Sequence, residues 1–156
     1  MISMTYQQPL LVVRDMERSL AFYQEVLGLE KILDFGANVT LTGGIALQTL
    51  DSWIEFLGTE EIRFGGKDAE LYFVEEDLEG FLAKLEGKQV EYAHPLLEHR
   101  WGQRVVRLLD PDGHVLEIAE PLSAVCRRFL DLGMTIEEVA ARMDVTAAYA
   151  RELAGM

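Results

Sequence analysis

The sequence contains little cysteine and no long apolar run. Cys126 is the only cysteine, so an internal disulfide is excluded, and no CxxC pair indicates a metal or redox site. No stretch approaches the roughly 18 uninterrupted apolar residues of a membrane span. Residues 1–8 have neither the basic start nor the apolar core of a secretory signal. We therefore expect a cytoplasmic protein that does not insert into a membrane.

Basic residues are scarce as well. Lys and Arg number 14 against 27 Asp and Glu, and the formal net charge is -13. A field of this sign repels polyphosphates, so we expect no nucleic-acid partner. The composition is nevertheless that of a folded globular protein, with 49% hydrophobic and 26% charged residues. A chain of 156 residues suits one compact domain.

A repeat organises most of the chain. The segment DMERSLA at residues 15–21 aligns with DLEGFLA at residues 77–83, at an offset of 62 (77 minus 15). A short apolar run precedes each segment and indicates a buried strand. Three strand-like stretches follow each segment, at about 29–35, 37–42 and 44–50 in the first copy and about 89–94, 103–109 and 113–119 in the second.

Helix boundaries are well marked in both copies. Asp15 and Asp77 are placed to cap helices, and Gly28 and Gly87 are placed to end them. Residues 51–68 between the copies are typical of a linker with one helical turn. The pattern predicts an α+β fold in which two βαβββ modules, about residues 5–50 and 69–119, form a domain of residues 1–120, followed by a helical extension of residues 121–156.

The predicted strands have one apolar face and one mixed face. The mixed face repeatedly carries a single amide or carboxylate among apolar neighbours, namely Gln8, Gln48, Glu70 and Glu117. A carboxylate in an apolar setting is costly unless it is paired, hydrated or used. The offset of 62 carries Gln8 onto Glu70. We therefore expect a curved mixed sheet around a cleft, with these four side chains facing a ligand there.

Two segments carry a resemblance to a known superfamily. Residues 14–29 (RDMERSLAFYQEVLGL) and residues 101–117 (WGQRVVRLLDPDGHVLE) are similar to segments of the vicinal oxygen chelate superfamily. That superfamily includes glyoxalases, bleomycin-resistance proteins, fosfomycin-modifying enzymes and extradiol dioxygenases. The resemblance covers about residues 5–120. It implies a homodimer, and it is weak evidence for any one chemistry because one fold hosts many activities.

The resemblance also implies a ligand set. Members that use a metal hold it with side chains from the first and fourth strands of each copy, which here are Gln8, Gln48, Glu70 and Glu117. The set lacks the histidine that such sites usually include. Its all-oxygen character favours magnesium, manganese or calcium over zinc.

Catalysis is expected at Glu117 and Glu70. With a metal, the resemblance implies that substrate oxygens chelate the ion while one of these carboxylates moves a proton. Without a metal, two facing carboxylates repel and raise at least one pKa, which suits acid–base chemistry or a hydrogen bond to a ligand amide. In the alternative interpretation, Gln8, Gln48 and Glu70 are hydrogen-bonded wall residues without a chemical role.

The segment EHRWGQR at residues 98–104 is the second candidate site. Its charged and aromatic side chains could clamp an anionic or aromatic ligand, although arginines on an acidic surface usually pair with nearby acids. The predicted substrate-binding residues are Gln8, Gln48, Tyr72, Trp101 and Arg104. His94 and His114 are expected to be exposed and are weak ligand candidates.

The extension from residue 123 to 156 is predicted to be helical. Thr135 with Glu138 forms a capping box, and Thr146 is placed to cap a further helix. Residues 134–146 look similar to the front half of a helix-turn-helix, but residues 147–154 offer one arginine and one glutamate where a DNA reader needs basic and amide side chains. We expect this tail to pack on the domain or on a partner subunit.

Three functions follow in order of preference. The first is a glyoxalase-type lyase or isomerase that acts on a small polar metabolite in the cleft between the modules. The second is a protein that binds a drug or metabolite without transforming it. The third is a ligand-sensing regulator that uses the helical tail, which the net charge disfavours.

Overall fold

The computed structural model describes all 156 residues, Met1–Met156. The chain divides into two compact units. Unit 1 comprises Met1–Ala69 with Asp110–His114, and unit 2 comprises Glu70–Leu109 with Val115–Met156. None of the helices has both the length and the apolar character that crossing a bilayer requires.

Each unit contains one βαβββ module. The elements of unit 1 are β1 (Leu10–Val13), α1 (Met16–Leu27), β2 (Lys31–Asp34), β3 (Asn38–Leu41), β4 (Ile45–Thr49) and α2 (Leu50–Leu57). Those of unit 2 are β5 (Glu70–Val74), α3 (Leu78–Leu85), β6 (Glu91–Glu98), β7 (Arg104–Leu109), β8 (Val115–Ala119), α4 (Leu122–Asp131), α5 (Ile136–Met143) and α6 (Ala147–Ala154). The predicted α+β fold class is confirmed.

The two sheets have the same topology. Their strand orders are β1-β4-β3-β2 and β5-β8-β7-β6. The first strand of each module pairs in parallel with the fourth strand, and the remaining pairs are antiparallel. A parallel pair of strands needs a crossover connection. In each module that connection consists of the helix after the first strand and the two strands that follow it.

The predicted caps at Asp15, Asp77 and Gly28 are confirmed, whereas α3 ends at Leu85 with Glu86 as its C-cap, one residue before the predicted Gly87. The Asp15 carboxylate accepts a hydrogen bond from the Arg18 amide at 3.0 Å, and the Asp77 carboxylate accepts one from the Gly80 amide at 2.9 Å. Gly28 ends α1 in the left-handed conformation, with φ of 68°. A side chain at this position would be strained, so glycine is the residue that stops the helix there.

The predicted linker is more ordered than the sequence indicated. α2 occupies eight residues, Leu50–Leu57, where one helical turn was predicted. It begins directly after β4, and its N-cap Thr49 makes no side-chain capping hydrogen bond. Trp53 and Ile54 are half-buried. The spacing of its apolar residues therefore determines this helix, which begins without a side-chain capping hydrogen bond.

The apolar face of the second sheet is buried as predicted. Leu116 pairs with both Leu71 and Leu108, and Ile118 pairs with both Phe73 and Val106. The side chains of Val106, Leu108, Leu116 and Ile118 are at most 2% exposed. Two α3 residues, Leu78 and Leu85, are also buried. Burial of this aliphatic surface is the main favourable term in the folding of unit 2.

A buried polar cluster stabilises unit 1. The Tyr23 hydroxyl donates to an Asp110 carboxylate oxygen at 2.7 Å, and the other oxygen of that carboxylate accepts from the backbone amides of Asp112 and His114, each at 2.9 Å. Burial and the adjacent Asp110 charge hold the pKa of Tyr23 well above its ordinary value. Tyr23 therefore keeps its proton and acts as a donor throughout the physiological range.

Asp112 extends the same cluster. Its carboxylate accepts from the Arg14 backbone amide at 3.1 Å, from the Arg14 guanidinium at 3.3 Å and from the Ser19 hydroxyl at 3.4 Å. The ring nitrogen Nε2 of His114 lies 2.8 Å from the Val12 carbonyl oxygen. The prediction that His114 is exposed was wrong, because this hydrogen bond keeps the ring half-buried.

The tail forms three helices around a small core of its own. Thr135 and Glu138 make the predicted capping box, and Thr146 accepts from the Tyr149 amide at 3.2 Å. The core contains side chains from α4 and α5: Val125, Cys126, Phe129, Val139 and Met143. The tail is therefore a packed part of unit 2.

Replacement of Tyr23 by Phe tests the buried cluster of unit 1. The variant removes the hydroxyl and leaves a buried Asp110 oxygen without that donor, so we expect the free energy of unfolding to fall by about 1–3 kcal/mol. Urea denaturation followed by circular dichroism measures the change. Tyr149→Phe removes the same atom from an exposed side chain and should change the stability by less than about 0.5 kcal/mol. Equal effects of the two variants would contradict this interpretation.

Candidate functional site

The mixed face of the second sheet carries a row of polar side chains. The strand register places Tyr72 opposite Glu117, Glu117 opposite Arg107, and Arg107 opposite His94. Cross-strand partners project from the same face of a sheet. The row therefore runs across all four strands of unit 2, and Glu70 lies on the same face, two residues before Tyr72 on β5.

Arg107 lies at the centre of this row. Its Nε and Nη2 donate to the two carboxylate oxygens of Glu70 at 3.3 and 3.2 Å, which is a bidentate pair. Nη2 also lies 3.2 Å from a carboxylate oxygen of Glu117. The side chains of Arg107, Glu70 and Glu117 are 23%, 35% and 12% exposed. The cluster is thus partly shielded from water while one edge remains accessible.

His94 completes the contacts of Arg107. Its Nδ1 lies 2.8 Å from the Pro95 carbonyl oxygen, and its Nε2 lies 3.1 Å from Nη1 of Arg107. A carbonyl oxygen only accepts and a guanidinium only donates. The proton is therefore assigned to Nδ1, and Nε2 accepts from Arg107. The prediction that His94 is exposed was wrong, because the ring is half-buried against Arg107.

Glu117 has the most perturbed carboxyl group of the row. Burial raises its pKa, a hydrogen bond and charge repulsion from Glu70 raise it further, and Arg107 opposes these effects without cancelling them. The direction is the one expected for two neighbouring carboxylates in a partly apolar setting. Glu117 therefore holds its proton to a higher pH than an ordinary glutamate.

The segment 98–104 contains an aromatic pair. The rings of His99 and Trp101 are stacked, with centroids 4.2 Å apart and planes 15° from parallel. Burial and the charge of Arg107 lower the pKa of His99. Since Arg107 acts on His99 electrostatically, the stack is close to the polar row.

Gln103 connects Trp101 with Tyr72. Its carbonyl oxygen accepts from the Trp101 indole at 3.0 Å. Its amide nitrogen donates to the Tyr72 hydroxyl at 3.1 Å and to the Glu120 carbonyl at 3.0 Å. Two of the predicted substrate-binding side chains are thus held in fixed positions by a buried glutamine that the sequence analysis did not select.

The structure places Arg104 in ion pairs. Its guanidinium donates to Glu120 from Nε at 3.1 Å and from Nη2 at 3.0 Å, and Nη1 donates to Glu79 at 3.0 Å. These contacts match the alternative in which arginines of this segment pair with nearby acids. Arg104 therefore has a structural role in this arrangement.

Gln48 is buried and fully hydrogen-bonded in unit 1. Its carbonyl oxygen accepts from the Asn38 amide at 2.8 Å, and its amide nitrogen lies 2.5 Å from the Ser52 hydroxyl. Both polar ends of the side chain are satisfied. The arrangement is that of the alternative interpretation, in which this residue has no chemical role.

The predicted strand position of Gln8 was wrong. β1 begins at Leu10, and Gln8 is exposed before it. In unit 1 the partner of Gln48 is Val12, four residues after Gln8, whereas in unit 2 the partner of Glu117 is Tyr72, two residues after Glu70. The offset of 62 therefore holds for the helix caps but not for the strand register. Convergence of all four polar residues stays a prediction.

The residues present do not fit a divalent cation in this arrangement. No group of three or more His, Cys, Asp or Glu side chains is placed to hold a metal ion. Glu70 and Glu117 already share the positive charge of Arg107, and a second cation there would be repelled by the guanidinium. The predicted magnesium, manganese or calcium ion stays a prediction.

Sequence reasoning missed Arg107 and Gln103, rated His94 a weak candidate, and included His99 only as part of the segment 98–104. A signal for Arg107 was nevertheless present. In RVVRLL, residues 104–109, alternation places Arg107 on the same face as Val105 and Leu109. A lone cation among aliphatic residues, in a strand next to one with a lone carboxylate, indicates a cross-strand ion pair.

Known proteins share this fold. Residues 6–123 match the family of the glyoxalase-like domain. A protein of unknown function from Agrobacterium tumefaciens is 34% identical over 78% of this chain and 97% of that protein, with a TM-score of 0.69. No curated protein sequence matches the chain.

Two further solved structures are similar. A member of the glyoxalase/bleomycin resistance protein/dioxygenase superfamily from Sphaerobacter thermophilus is 27% identical over 77% of this chain and 100% of that protein, with a TM-score of 0.61. A glyoxalase-related enzyme from Fulvimarina pelagi is 20% identical over 76% of this chain and 89% of that protein, with a TM-score of 0.66, and shows the fold alone. The chain belongs to the glyoxalase-like domain family of the vicinal oxygen chelate superfamily.

Proposed function

We propose that this protein binds a small polar metabolite on the polar row of unit 2 and transforms it by proton transfer at Glu117, as an isomerase or lyase. The observation that supports the proposal is the position of Glu117, beside a guanidinium that Glu70 and His94 hold in place. In such a pair the cation can stabilise negative charge on a substrate oxygen while the carboxyl group moves a proton, and no metal is needed.

Arg107 is the electrophilic group of the proposed site. A guanidinium has five N–H groups, and the contacts with Glu70, Glu117 and His94 leave capacity for a ligand oxygen. A substrate carbonyl that accepts from Arg107 has its negative charge stabilised when a neighbouring carbon loses a proton.

Glu117 is the proton-transfer group. In the deprotonated form it takes the proton from the carbon next to the carbonyl, and the electron pair of that bond moves onto the oxygen held by Arg107. In an isomerase step, the proton of the neighbouring hydroxyl moves to the oxygen of the former carbonyl, Glu117 returns its proton to the former carbonyl carbon, and a new carbonyl remains at the deprotonated carbon. In a lyase step, the electron pair returns from the oxygen, a double bond forms, and the leaving group departs with its bonding electrons from the carbon on the other side of the deprotonated carbon. The raised pKa of Glu117 supports this role, because a general base works best with a pKa close to the working pH.

The aromatic groups near the row suit the less polar part of a ligand. Tyr72 is 53% exposed, and the His99–Trp101 stack presents a flat apolar surface. Aromatic surfaces of this kind contribute binding energy with few rotatable bonds. The proposed ligand is therefore small and carbonyl-containing, with an apolar or planar portion.

Binding without transformation is the second candidate. Its support is that Glu70 and Glu117 are both already paired with Arg107, so the row forms a stable recognition surface that needs no reaction. Such a surface would recognise donors through Glu70 and acceptors through Arg107. The predicted homodimer and the predicted lack of a nucleic-acid partner stay predictions.

Deuterium exchange separates these two functions. We expect the protein to accelerate exchange of the carbon-bound proton next to the carbonyl in small hydroxy-ketones dissolved in D₂O, measured by proton NMR. Glu117→Gln should lower this rate by roughly 10²–10⁴-fold, the usual contribution of a general base. Glu76→Gln, at an exposed glutamate, is the matched control. A hydroxy-ketone that raises the melting temperature without exchanging would favour the binding function.

The pH dependence of stability tests the environment of Glu117. Its pKa in the folded protein lies above the ordinary value of 4.5, so its contribution to stability is fully present below pH 4.5 and is lost as the pH rises through the folded-state pKa. The melting temperature of Glu117→Gln relative to the wild type should therefore increase from pH 4 towards pH 7. The same trend in Glu76→Gln would contradict this assignment.

Metal addition tests the role of Arg107. We expect magnesium, manganese and calcium chlorides to leave the melting temperature of the wild type unchanged, because the guanidinium already occupies the position between Glu70 and Glu117 and would repel a second cation. Arg107→Gln frees both carboxylates, and manganese should then raise the melting temperature by ligand stabilisation of the folded state. In the control Arg104→Gln, Glu120 keeps Arg128 as its partner and no gain is expected. Stabilisation of the wild type by an equimolar metal would contradict the assignment.

A further inference from the structure

The segment that carries Trp101 is closed by its own backbone. The His99 amide donates to the Gln103 carbonyl, and the Gly102 amide donates to the His99 carbonyl, each at 2.8 Å. Gly102 has φ of 88°, a left-handed conformation that favours glycine. These two hydrogen bonds define a tight turn over residues 99–103, called here the Trp101 turn.

Helix α4 packs directly on this turn. A Cβ atom at Gly102 would overlap the ring of Phe129 and would approach a methyl group of Val125 to 3.1 Å. Phe129 and Val125 belong to the buried core of the tail. The absence of a side chain at Gly102 is therefore what lets α4 reach the backbone of the turn.

Arg128 adds polar contacts at the same place. Its Nη2 donates to the Gly102 carbonyl at 2.6 Å and to Glu120 at 2.8 Å, and its Nη1 donates to Glu120 at 2.9 Å. The Glu120 side chain is 3% exposed. Burial alone would raise the pKa of Glu120, but the hydrogen bonds from Arg128 and Arg104 hold it below its ordinary value. Glu120 is thus a fixed anion that orients Arg128 towards Gly102.

The contacts continue from the turn to the proposed site. Gln103 donates to the Glu120 backbone carbonyl and to the Tyr72 hydroxyl, and it accepts from the Trp101 indole. The path from α4 to Tyr72 therefore passes through Arg128, Glu120 and Gln103. The Arg128–Glu120 hydrogen bonds at the start of this path are charge-assisted and are its strongest contacts, whereas those of Gln103 are neutral.

We propose that α4 is a positioning element of the site, and that Arg128 holds the Trp101 turn so that Trp101 and Tyr72 lie beside the polar row. This role rests on the proposed function only for the identity of the site, since the order of the turn is a property of the free protein. The matched family residues end at 123, so nearly all of α4 lies beyond them. The tail then acts as a brace that this chain adds to its glyoxalase-like domain.

Fluorescence of Trp101 tests the proposal without a ligand. The chain has two tryptophans, so Trp53→Phe leaves Trp101 as the only emitter. In that background we expect Arg128→Gln to raise the population of released turn roughly tenfold, because a charge-assisted hydrogen bond is lost. The expected readouts are a red-shifted emission maximum and a larger acrylamide quenching constant. Arg128→Lys keeps the charge but loses the planar guanidinium that donates to Glu120 and Gly102 at once, so it should give an intermediate value.

Arg127→Gln is the matched control, since it removes the same charge from an exposed position one residue away on α4. Equal quenching in the Arg127 and Arg128 variants, with both folded by circular dichroism, would overturn the proposal. Amide hydrogen exchange of the unmodified protein provides a second measurement that does not depend on the variants folding. We expect the His99 and Gly102 amides to be protected, and exchange at the rate of an unstructured peptide would also overturn it.

Failure of this test and failure of the proposed function are distinguishable. If the variants release the Trp101 turn but leave the exchange of the carbon-bound proton unchanged, α4 does not position the site, and the proposed role of Glu117 is unaffected. If the turn is held but the protein neither accelerates that exchange nor is stabilised by a ligand, α4 still positions the turn and the proposed reaction is wrong.

Discussion

Charge compensation on a half-buried sheet face is the constraint on which unit 2 depends. A carboxylate among aliphatic residues needs a partner, and Arg107 supplies one to both Glu70 and Glu117. The partner has to come from a neighbouring strand, because residues on one strand that share a face are two positions apart and those next to Glu117 on its face, Val115 and Ala119, are apolar. The polar row follows from that requirement, and the direction of the Glu117 pKa follows from the row.

The motifs that identify the family have a different physical role. Residues of the first motif, Arg14, Ser19 and Tyr23, hydrogen-bond to Asp110 and Asp112 of the second. These groups contribute to the stability of unit 1, since a buried carboxylate is destabilised when one of its donors is removed. The part of the family signal that these residues provide therefore indicates the fold rather than the chemistry. Of the residues proposed for chemistry, Arg107 and Glu117 lie within the second motif, on β7 and β8, whereas Glu70 on β5 lies outside both motifs.

In unit 2 the tail connects the folded core with the proposed site. Its core is apolar and local, but its first helix contacts Gly102, Glu120 and the Trp101 turn. Such a brace needs few residues, because Arg128, Gly102 and Phe129 provide its contacts. It gives the helical extension a role without a nucleic-acid partner, in agreement with the net charge of -13.

Local signals in the sequence determined the modules, the helix caps and the apolar strand faces, because an N-cap, a left-handed glycine or a two-residue alternation involves only neighbouring positions. They also placed Glu70 and Glu117 on one face of the second sheet. Only the tertiary structure decided that Arg107 and His94 join those carboxylates, that Gln48 is fully satisfied, and that Gln8 lies before its strand. Each of these depends on which residues face each other across strands, and that register is set by long-range pairing and side-chain packing, which an offset between repeats does not encode.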